Sequence, residues 1–276
     1  MFALIPSFIA ILLGGSICAG WAGTLTQFRT PLGDLDVELF DEDKPVTTEN
    51  FIRYVKSGRY ENMFIHRWEP EFVIQGGGFF TANRISTDPS IAPVTRFGTI
   101  TNEYSVGRTL SNLYGTLAMA RIGGLTNSAS SEWFINLATN SDLDLVDGGF
   151  TVFARVVRGF NVLDRFNNTS RTNGIFRANL GSPLNHLPIL STNVTYDNLV
   201  YVDISLLSIR VKTLSNGSRQ ISWNSASNVL NQVEFTTKFP PVWQLLTSTN
   251  GSGGVVSVTD SSLDEAQRFY RVRVEY

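Results

Sequence analysis

Apolar and polar residues alternate along much of this chain, a spacing typical of strands that bury one face. The alternation from Gln27 to Phe40 runs around a Pro-Leu-Gly-Asp turn and predicts a β-hairpin. From Asp41 to Lys56 the apolar spacing becomes helical, with Pro45 near the start, and Gly58 ends the predicted helix. A second, short helix is predicted over Phe160–Phe166. This part of the chain therefore mixes strands with two helices.

Further apolar runs have the length of strands. They are Met63–Trp68, Phe72–Gln75, Gly115–Arg121, Glu132–Leu137, Thr151–Val157 and Leu199–Ile209. Two stretches lack such a run. Thr81–Arg96 is predicted to be a loop, and Asn167–Asn198, which is rich in Asn, Thr, Ser and Pro, is predicted to be an irregular excursion.

The pattern changes after Ile209. Residues Arg210 to Tyr276 alternate strongly between apolar and polar positions, with NGS, PP and NGSGG turns between the runs. No helical spacing occurs in this segment. We expect five or six short strands there, which indicates a small β-sandwich over residues 210–276.

The N-terminal segment has the features of an export signal. No charged side chain occurs before Arg29, and the apolar run Phe2–Leu13 is followed by small residues. A membrane-spanning helix needs about 20 apolar residues, whereas this run has the length of a signal-peptide core. We therefore predict a signal peptide at residues 1–22, cleaved after Ala22, and a periplasmic or secreted protein.

Two alternatives remain for this segment. One is lipidation of Cys18, against which the bulky Ile17 immediately before it argues; the other is an ordinary buried first strand. If residues 1–22 are removed, the mature chain contains no cysteine, which is consistent with an oxidising compartment.

Composition narrows the classes of function. The 276 residues carry a formal net charge of -2, with two histidines and one cysteine. A nucleic-acid binder is normally basic, and most structural zinc sites and disulfide frameworks need more Cys or His. We therefore predict no nucleic-acid partner and no structural zinc site. A site that works by shape and hydrogen bonding fits this composition better than one with a His or Cys nucleophile.

Several motifs then occur in a characteristic order. Residues 64–80 read FIHRWEPEFVIQGGGFF, residues 115–137 read GTLAMARIGGLTNSASSEWFINL, and residues 151–157 read TVFARVV. Together they resemble the cyclophilin family of peptidyl-prolyl cis/trans isomerases, with SASSEWFIN most similar to bacterial members. The resemblance covers residues 23–209. It implies a mainly β fold, a closed eight-stranded antiparallel barrel with two capping helices, which the β-sandwich follows.

The chemistry of such an enzyme needs no nucleophile, so we predict no metal and no cofactor. Rotation about an X-Pro amide is slow because resonance gives its C–N bond double-bond character, with a barrier of about 18–20 kcal/mol. A catalyst must favour the twisted state, in which the lone pair returns to the prolyl nitrogen. A guanidinium is a suitable donor to that nitrogen because it is always charged and multidentate. The resemblance assigns catalytic roles to Arg67, which would be this donor, to Gln75, which would orient it, and to Phe72.

The resemblance also assigns substrate-binding positions: Val73, Ala120, Arg121, Glu132, Phe134, Leu143 and Phe150. The apolar members would hold the pyrrolidine ring still while the preceding carbonyl swings. Ala120 would line the groove, and the backbone of Arg121 would bind the peptide as an added strand.

Three residues depart from the family pattern, and one histidine needs a separate interpretation. Glu132 stands where glutamine is usual, so it can only accept hydrogen bonds, and we expect it to pair with Arg67 or Arg121. Arg121 replaces a common asparagine, a change that keeps the backbone contact. Asp142 stands where an aromatic residue is common, which predicts a more polar pocket wall. His66 is interpreted as a structural histidine beneath the groove rather than a catalytic base.

We therefore predict an exported peptidyl-prolyl isomerase that acts on proline-containing polypeptides during their folding, as a monomer and without a cofactor. The first alternative is a non-catalytic proline-peptide binder or holdase chaperone that uses the same groove. The second is a protein whose function lies in residues 210–276, with the barrel as a scaffold. For that C-terminal module we expect a spacer or a cell-surface docking role.

Overall fold

The computed structural model describes residues 23–83, 90–168, 170, 174–207, 209–225, 230–238, 240–262 and 267–275. The predicted signal peptide therefore lies outside the described residues. Within the described ranges, no helix is both long and apolar enough to cross a membrane.

The described part of the first three quarters of the chain contains two helices, α1 (Pro45–Lys56) and α2 (Phe160–Asn167), and twelve strands. The strands are β1 (Leu25–Thr30), β2 (Gly33–Leu39), β3 (Arg67–Glu69), β4 (Val73–Gly76), β5 (Phe79–Thr81), β6 (Ile91–Pro93), β7 (Thr116–Met119), β8 (Trp133–Asn136), β9 (Val152–Arg158), β10 (Phe176–Ala178), β11 (Leu187–Ile189) and β12 (Asp203–Leu206). Short 3-10 turns occupy Ser141–Asp144, Val146–Gly148 and Tyr196–Asn198.

Eight of these strands form one curled antiparallel sheet, in the order β12-β1-β2-β9-β7-β8-β4-β3. The segments that lead into its two edge strands are hydrogen-bonded to each other: the N–H of Ile65 donates to the carbonyl of Val200 at 2.9 Å, and that of Val202 to the carbonyl of Met63 at 2.9 Å. The sheet thereby curls around its main hydrophobic core. The predicted mainly β fold, with eight antiparallel strands and two helices, is confirmed.

An aromatic cluster fills this core. Phe28, Phe51, Trp133 and Phe153 are fully buried, and neighbouring rings lie 5.2–6.0 Å apart between centroids. Phe51 belongs to α1, so the same cluster holds this helix against the sheet. Burial of such large side chains supplies most of the drive for folding.

The helix α2 begins at Phe160 as predicted, whereas α1 begins at Pro45, four residues after the predicted start at Asp41. Pro45 is the first residue of α1, where its missing N–H costs nothing, and the carboxylate of Glu103 accepts hydrogen bonds from the N–H groups of Val46 and Thr47. Gly159 precedes α2 with φ 92°, and a Cβ there would lie 2.2 Å from the carbonyl oxygen of Asp34. Only glycine fits that position.

Six further strands follow: β13 (Ile209–Thr213), β14 (Arg219–Asn224), β15 (Leu230–Thr236), β16 (Gln244–Asn250), β17 (Val255–Asp260) and β18 (Phe269–Glu275). They form two three-stranded sheets, β13-β14-β17 and β16-β15-β18, around the buried side chains of Ile221, Trp223 and Val233. The predicted small β-sandwich is thus present. Its first strand begins at Ile209.

Three predicted elements differ from the structure. Leu199–Ile209 is not one strand: β12 ends at Leu206, and Ile209 already belongs to the sheet β13-β14-β17. The supposed loop at Thr81–Arg96 contains β6, which pairs with β5. The supposed irregular excursion at Asn167–Asn198 contains the hairpin of β10 and β11. The strands β6, β10 and β11 have three residues each, too few to reveal a period of two.

Candidate active site

A cavity of about 290 Å³ opens where β3, β4, β7 and β8 meet the turn at 141–150. Nine of the ten predicted site residues line it: Arg67, Phe72, Val73, Gln75, Ala120, Arg121, Phe134, Leu143 and Phe150. The tenth, Glu132, lines an adjoining cavity of about 150 Å³ that shares Gln75, Ala120 and Arg121 with the first. We call the larger cavity the main pocket and the smaller one the side pocket.

The strand register explains why these residues converge. Arg67 of β3 is paired with Gln75 of β4, and Gln75 is paired with Phe134 of β8. Residues directly opposite one another in adjacent strands point to the same face of the sheet, as do residues two apart such as Val73 and Gln75. One face of three strands therefore presents a cation, an amide and an apolar surface together.

The floor of the main pocket is apolar. Val73 and Phe134 are almost fully buried, and the partly buried Phe72, Leu143 and Phe150 pack against them. The rings of Phe134 and Phe150 meet edge to face, with centroids 5.8 Å apart. Such a surface suits a small apolar ring that must be held still.

Arg67 lies at the rim of the main pocket, with 41% of its side chain exposed. Its Cζ is 5.9 Å from the ring centroid of Phe72, and its Nε is 3.5 Å from Oε1 of Glu69. Burial alone would raise the pKa of Glu69, but the hydrogen bond and charge of His186 and the charges of Arg67 and Arg177 lower it below its usual value. Glu69 is not among the residues predicted from the sequence. Its position two residues after Arg67 in a strand indicates that both side chains lie on the same face.

Glu132 does not pair with Arg67 or Arg121, so that expectation is wrong. Its Oε2 accepts a hydrogen bond from the side-chain amide of Gln75 at 2.8 Å, and its Oε1 accepts one from Arg96 at 2.8 Å. Glu132 precedes β8 on the side-pocket flank of Gln75, away from the rim where Arg67 lies. The carboxylate of Glu132 therefore bridges the side-chain amide of Gln75 and the guanidinium of Arg96.

The imidazole of His66 also faces Glu132. It is almost fully buried, with Nε2 3.6 Å from Oε2 of Glu132, and it does not line the main pocket. Burial would raise the pKa of Glu132, but His66, the hydrogen bond from Gln75 and the charge of Arg96 together lower it below its usual value. This position fits the interpretation of His66 as a structural residue.

Arg121 contributes more than a backbone contact. Its guanidinium donates hydrogen bonds to the carbonyls of Asp147 at 2.8 Å and Val146 at 2.7 Å, and its Cζ lies 4.2 Å from the ring centroid of Phe150. Burial lowers the pKa of Arg121. The side chain thus forms part of the pocket wall.

The predicted polar wall at Asp142 is not present. Asp142 is exposed on the outside of the turn Ser141–Asp144, whereas its neighbour Leu143 points to the main pocket. In the ranges that the structure describes, no group of three or more His, Cys, Asp or Glu residues is arranged to hold a metal ion.

A curled eight-stranded antiparallel sheet with an arginine above an aromatic pocket is the arrangement of a prolyl isomerase of the cyclophilin class. Residues 25–194 match the profile of the family described as cyclophilin type peptidyl-prolyl cis-trans isomerase/CLD. The chain belongs to this family, and it is a peptidyl-prolyl cis-trans isomerase by class.

Two curated relatives, from Acinetobacter baylyi and Escherichia coli, agree with this assignment. The chain is 38% identical over 164 residues to a peptidyl-prolyl cis-trans isomerase of Acinetobacter baylyi, an alignment that covers 58% of this chain and 81% of the relative. It is 37% identical over 146 residues to peptidyl-prolyl cis-trans isomerase B of Escherichia coli, covering 51% and 82%. A crystal structure of a cyclophilin type isomerase from Cryptosporidium parvum, in the presence of the dipeptide Ala-Pro, matches with a TM-score of 0.46 and 22% identity, covering 67% and 99%.

Proposed function

We propose that this isomerase twists X-Pro bonds of exported polypeptides in the main pocket, with Arg67 as the donor to the prolyl nitrogen. The observation that carries this proposal is the position of Arg67 at the rim of a pocket whose floor is apolar and aromatic. The pyrrolidine ring lies against Phe134, Val73 and Leu143, and the guanidinium reaches the nitrogen from above.

This arrangement lowers the barrier through differential binding. In the planar amide the nitrogen lone pair is delocalised and accepts hydrogen bonds poorly; in the twisted amide it is localised and accepts them well. The charge of Arg67 therefore stabilises the twisted state more than either planar state, and only such a difference accelerates rotation. The apolar floor strengthens this effect because it replaces water around the nitrogen.

NMR exchange spectroscopy on a short X-Pro peptide tests the role of Arg67. The full chain is expected to accelerate cis/trans exchange, Arg67→Ala to abolish most of this acceleration, and Arg67→Lys to restore it only in part because a lysine lacks the planar fork. Arg155→Ala is a matched control: Arg155 is exposed, pairs with Glu38 and does not line the pocket. Chemical-shift changes without accelerated exchange in the unmodified chain would instead favour the non-catalytic peptide binder or holdase.

We also propose that the chain acts on exported clients in the periplasm or outside the cell. The support is the uncharged, apolar N-terminal segment. Expression of the full chain in a bacterium, followed by cell fractionation and intact-mass measurement, tests this: a product in the periplasm or medium that begins at Gly23 is expected. A cytoplasmic product that retains residues 1–22 would contradict export, and a lipid-sized mass on Cys18 would show anchoring. The monomeric state and the docking role of the C-terminal module stay predictions.

A further inference from the structure

The carboxylate of Glu69 lies among three nitrogen-bearing side chains next to the main pocket. Its Oε1 is 3.5 Å from Nε of Arg67 and is in close contact with Nδ1 of His186, and its Oε2 is 3.4 Å from Nη2 of Arg177. Arg67 belongs to the pocket, whereas Arg177 and His186 belong to the hairpin of β10 and β11. Glu69 thus connects the pocket to an element more than a hundred residues further along the chain.

The alternation of β3 places Glu69 beside Arg67. The residue between them, Trp68, is buried on the opposite face, and its indole N–H donates to the carbonyl of Phe166 at 2.8 Å. This anchor sets the rotation of the strand about its axis. Arg67 and Glu69 consequently share the other face, where both are partly exposed.

The hairpin is attached to β3 by contacts from β10 and from the residue that precedes β11. The backbone N–H of Trp68 donates to the carbonyl of His186 at 2.8 Å, and the guanidinium of Arg177 donates to the carbonyl of Trp68 at 2.8 Å. Leu187 and Ile189 of β11 are buried in a cluster with Phe64. The side chains that face Glu69 are therefore presented from a packed element.

We propose that Glu69 is a positioning residue for Arg67, and that the hairpin of β10 and β11 holds Glu69 in place through His186 and Arg177. This inference rests on the proposed role of Arg67. The carboxylate attracts Nε, the guanidinium nitrogen nearest the chain, and no described residue accepts a hydrogen bond from the two Nη groups. The Nη groups are therefore left to meet a substrate.

The hairpin also limits how strongly Glu69 binds Arg67. An arginine facing a lone carboxylate tends to form a bidentate pair, which would occupy the terminal nitrogens as well. Here His186 makes the closer contact to Oε1 and Arg177 attracts Oε2, so the carboxylate is shared. Arg67 is guided by an ion pair at one atom, and it keeps most of its hydrogen-bonding capacity.

Isomerisation kinetics of the full chain test this proposal. Glu69→Gln is expected to lower kcat about twofold to fivefold, the range of a partly exposed ion pair, with little change in KM. Glu71→Gln is the matched control, because Glu71 carries the same charge two residues further on, is exposed and forms no ion pair with another described residue. An unchanged kcat in Glu69→Gln, or an equal loss in Glu71→Gln, would overturn the proposal.

A second variant separates positioning from a general effect on the fold. In an Arg67→Lys background the Nε group is absent, so Glu69→Gln is expected to cause no further loss of kcat. His186→Asn is expected to lower kcat because the carboxylate of Glu69 then pairs fully with Arg67. In a chain that already carries Glu69→Gln, adding His186→Asn should therefore cause no further loss of kcat. Losses that simply multiply in these double variants would contradict an action through Arg67.

A readout without substrate keeps this inference apart from the proposed function. In a ¹⁵N NMR spectrum the Nε–H signal of Arg67, assigned with Arg67→Lys, should shift and exchange faster with water in Glu69→Gln but not in Glu71→Gln. An unmoved signal would refute the positioning role even if the enzyme is active. Conversely, a moved signal in a chain that does not accelerate exchange would leave the contact proven and refute catalysis.

Discussion

The guanidinium of Arg121 lies over the ring of Phe150, with Cζ 4.2 Å from the ring centroid. The same group donates hydrogen bonds to the carbonyls of Val146 and Asp147, at the turn just before Phe150. Arg121 therefore holds one wall of the main pocket from two directions, by contact with the ring and by fixing the backbone that carries it.

Removal of this side chain should weaken substrate binding. Arg121→Ala is expected to raise KM about threefold to tenfold, since a partly exposed cation–π contact contributes about 0.5–1 kcal/mol and each hydrogen bond to a carbonyl a similar amount. The KM of Arg121→Lys should lie between that of the unmodified chain and that of Arg121→Ala, because lysine keeps the charge but not the planar guanidinium. Steady-state kinetics on an X-Pro peptide measures this effect, and an effect on kcat alone would contradict a role in shaping the pocket.

Most of the pocket was predictable because its residues lie in short motifs on adjoining strands. The strand register places Gln75 opposite Arg67 on one side and opposite Phe134 on the other. The partners of the charged side chains were not predictable in the same way. Contacts such as Glu69 with His186 join residues far apart in sequence, and periodicity gives no information on which distant loop returns to a strand.

The fold shows the same division. A hydrophobic run reveals that a segment is buried but not in which core, and Leu199–Ile209 illustrates this. Val202 packs in the core of the first domain, whereas Ile209 packs with Trp223 in the second. The continuous apolar run therefore predicts one strand, although the chain leaves one sheet and enters another within this run.

Glu132 should give the protein a pH-dependent contribution to stability. Burial raises the pKa of its carboxyl, but His66, Gln75 and Arg96 together lower the pKa by more than burial raises it. The pKa in the folded chain therefore lies below the usual 4.5. A lowered pKa stabilises the fold above the unfolded-state pKa, and this stabilisation is lost as the pH falls through the folded-state pKa.

The variant Glu132→Gln isolates this contribution because it cannot titrate. The thermal midpoint of the unmodified chain should exceed that of Glu132→Gln at neutral pH, and the difference should shrink below about pH 4.5. Thermal unfolding at several pH values, followed by circular dichroism, measures the difference. A difference that stays constant with pH would show that the carboxylate's charge is not what stabilises the site.

Lys44 organises the loop at residues 103–108. Its ammonium is buried and donates hydrogen bonds to the carbonyls of Glu103, Tyr104, Val106 and Arg108. Burial lowers the pKa of Lys44, against the raising influence of Asp43 and Glu103. Four carbonyls of one loop therefore depend on a single side chain.

Lys44→Met should leave these carbonyls without their donor and lower the free energy of unfolding by about 2–4 kcal/mol. Urea unfolding of the full chain measures the change, with Lys56→Met as the control because Lys56 is an exposed lysine of the same region. The neighbouring Asn102 donates to the carbonyls of Gly148 and Gly149, so the variant should also raise KM. Equal stability of the two variants would show that water replaces the ammonium without loss.

Asp260 is the principal acid-sensitive group of the C-terminal module. Its carboxylate is buried and accepts hydrogen bonds from the N–H of Ser262, from Arg268 at 2.6 Å and from the hydroxyl of Tyr270 at 2.7 Å. Burial alone would raise the pKa of Asp260, but these donors lower it from 3.8 to about 2. The two side-chain donors lie on or beside β18, so the carboxylate attaches the last strand to the end of β17.

The depressed pKa implies a stabilisation that is fully present above pH 3.8 and is lost as the pH falls towards about 2. A difference of this size corresponds to about 2 kcal/mol. Asp260→Asn should therefore destabilise the module by about 2–4 kcal/mol at neutral pH, because it also removes the charge that the guanidinium of Arg268 contacts at 2.6 Å. The indole N–H of Trp223, which donates to Asn231 at 2.9 Å, reports on the module's core in NMR-monitored denaturation. The exposed Asp203→Asn is the control, since Asp203 lies on β12 of the first domain. If the Trp223 signal is lost at the same denaturant concentration in both variants, the carboxylate does not hold β18 in place.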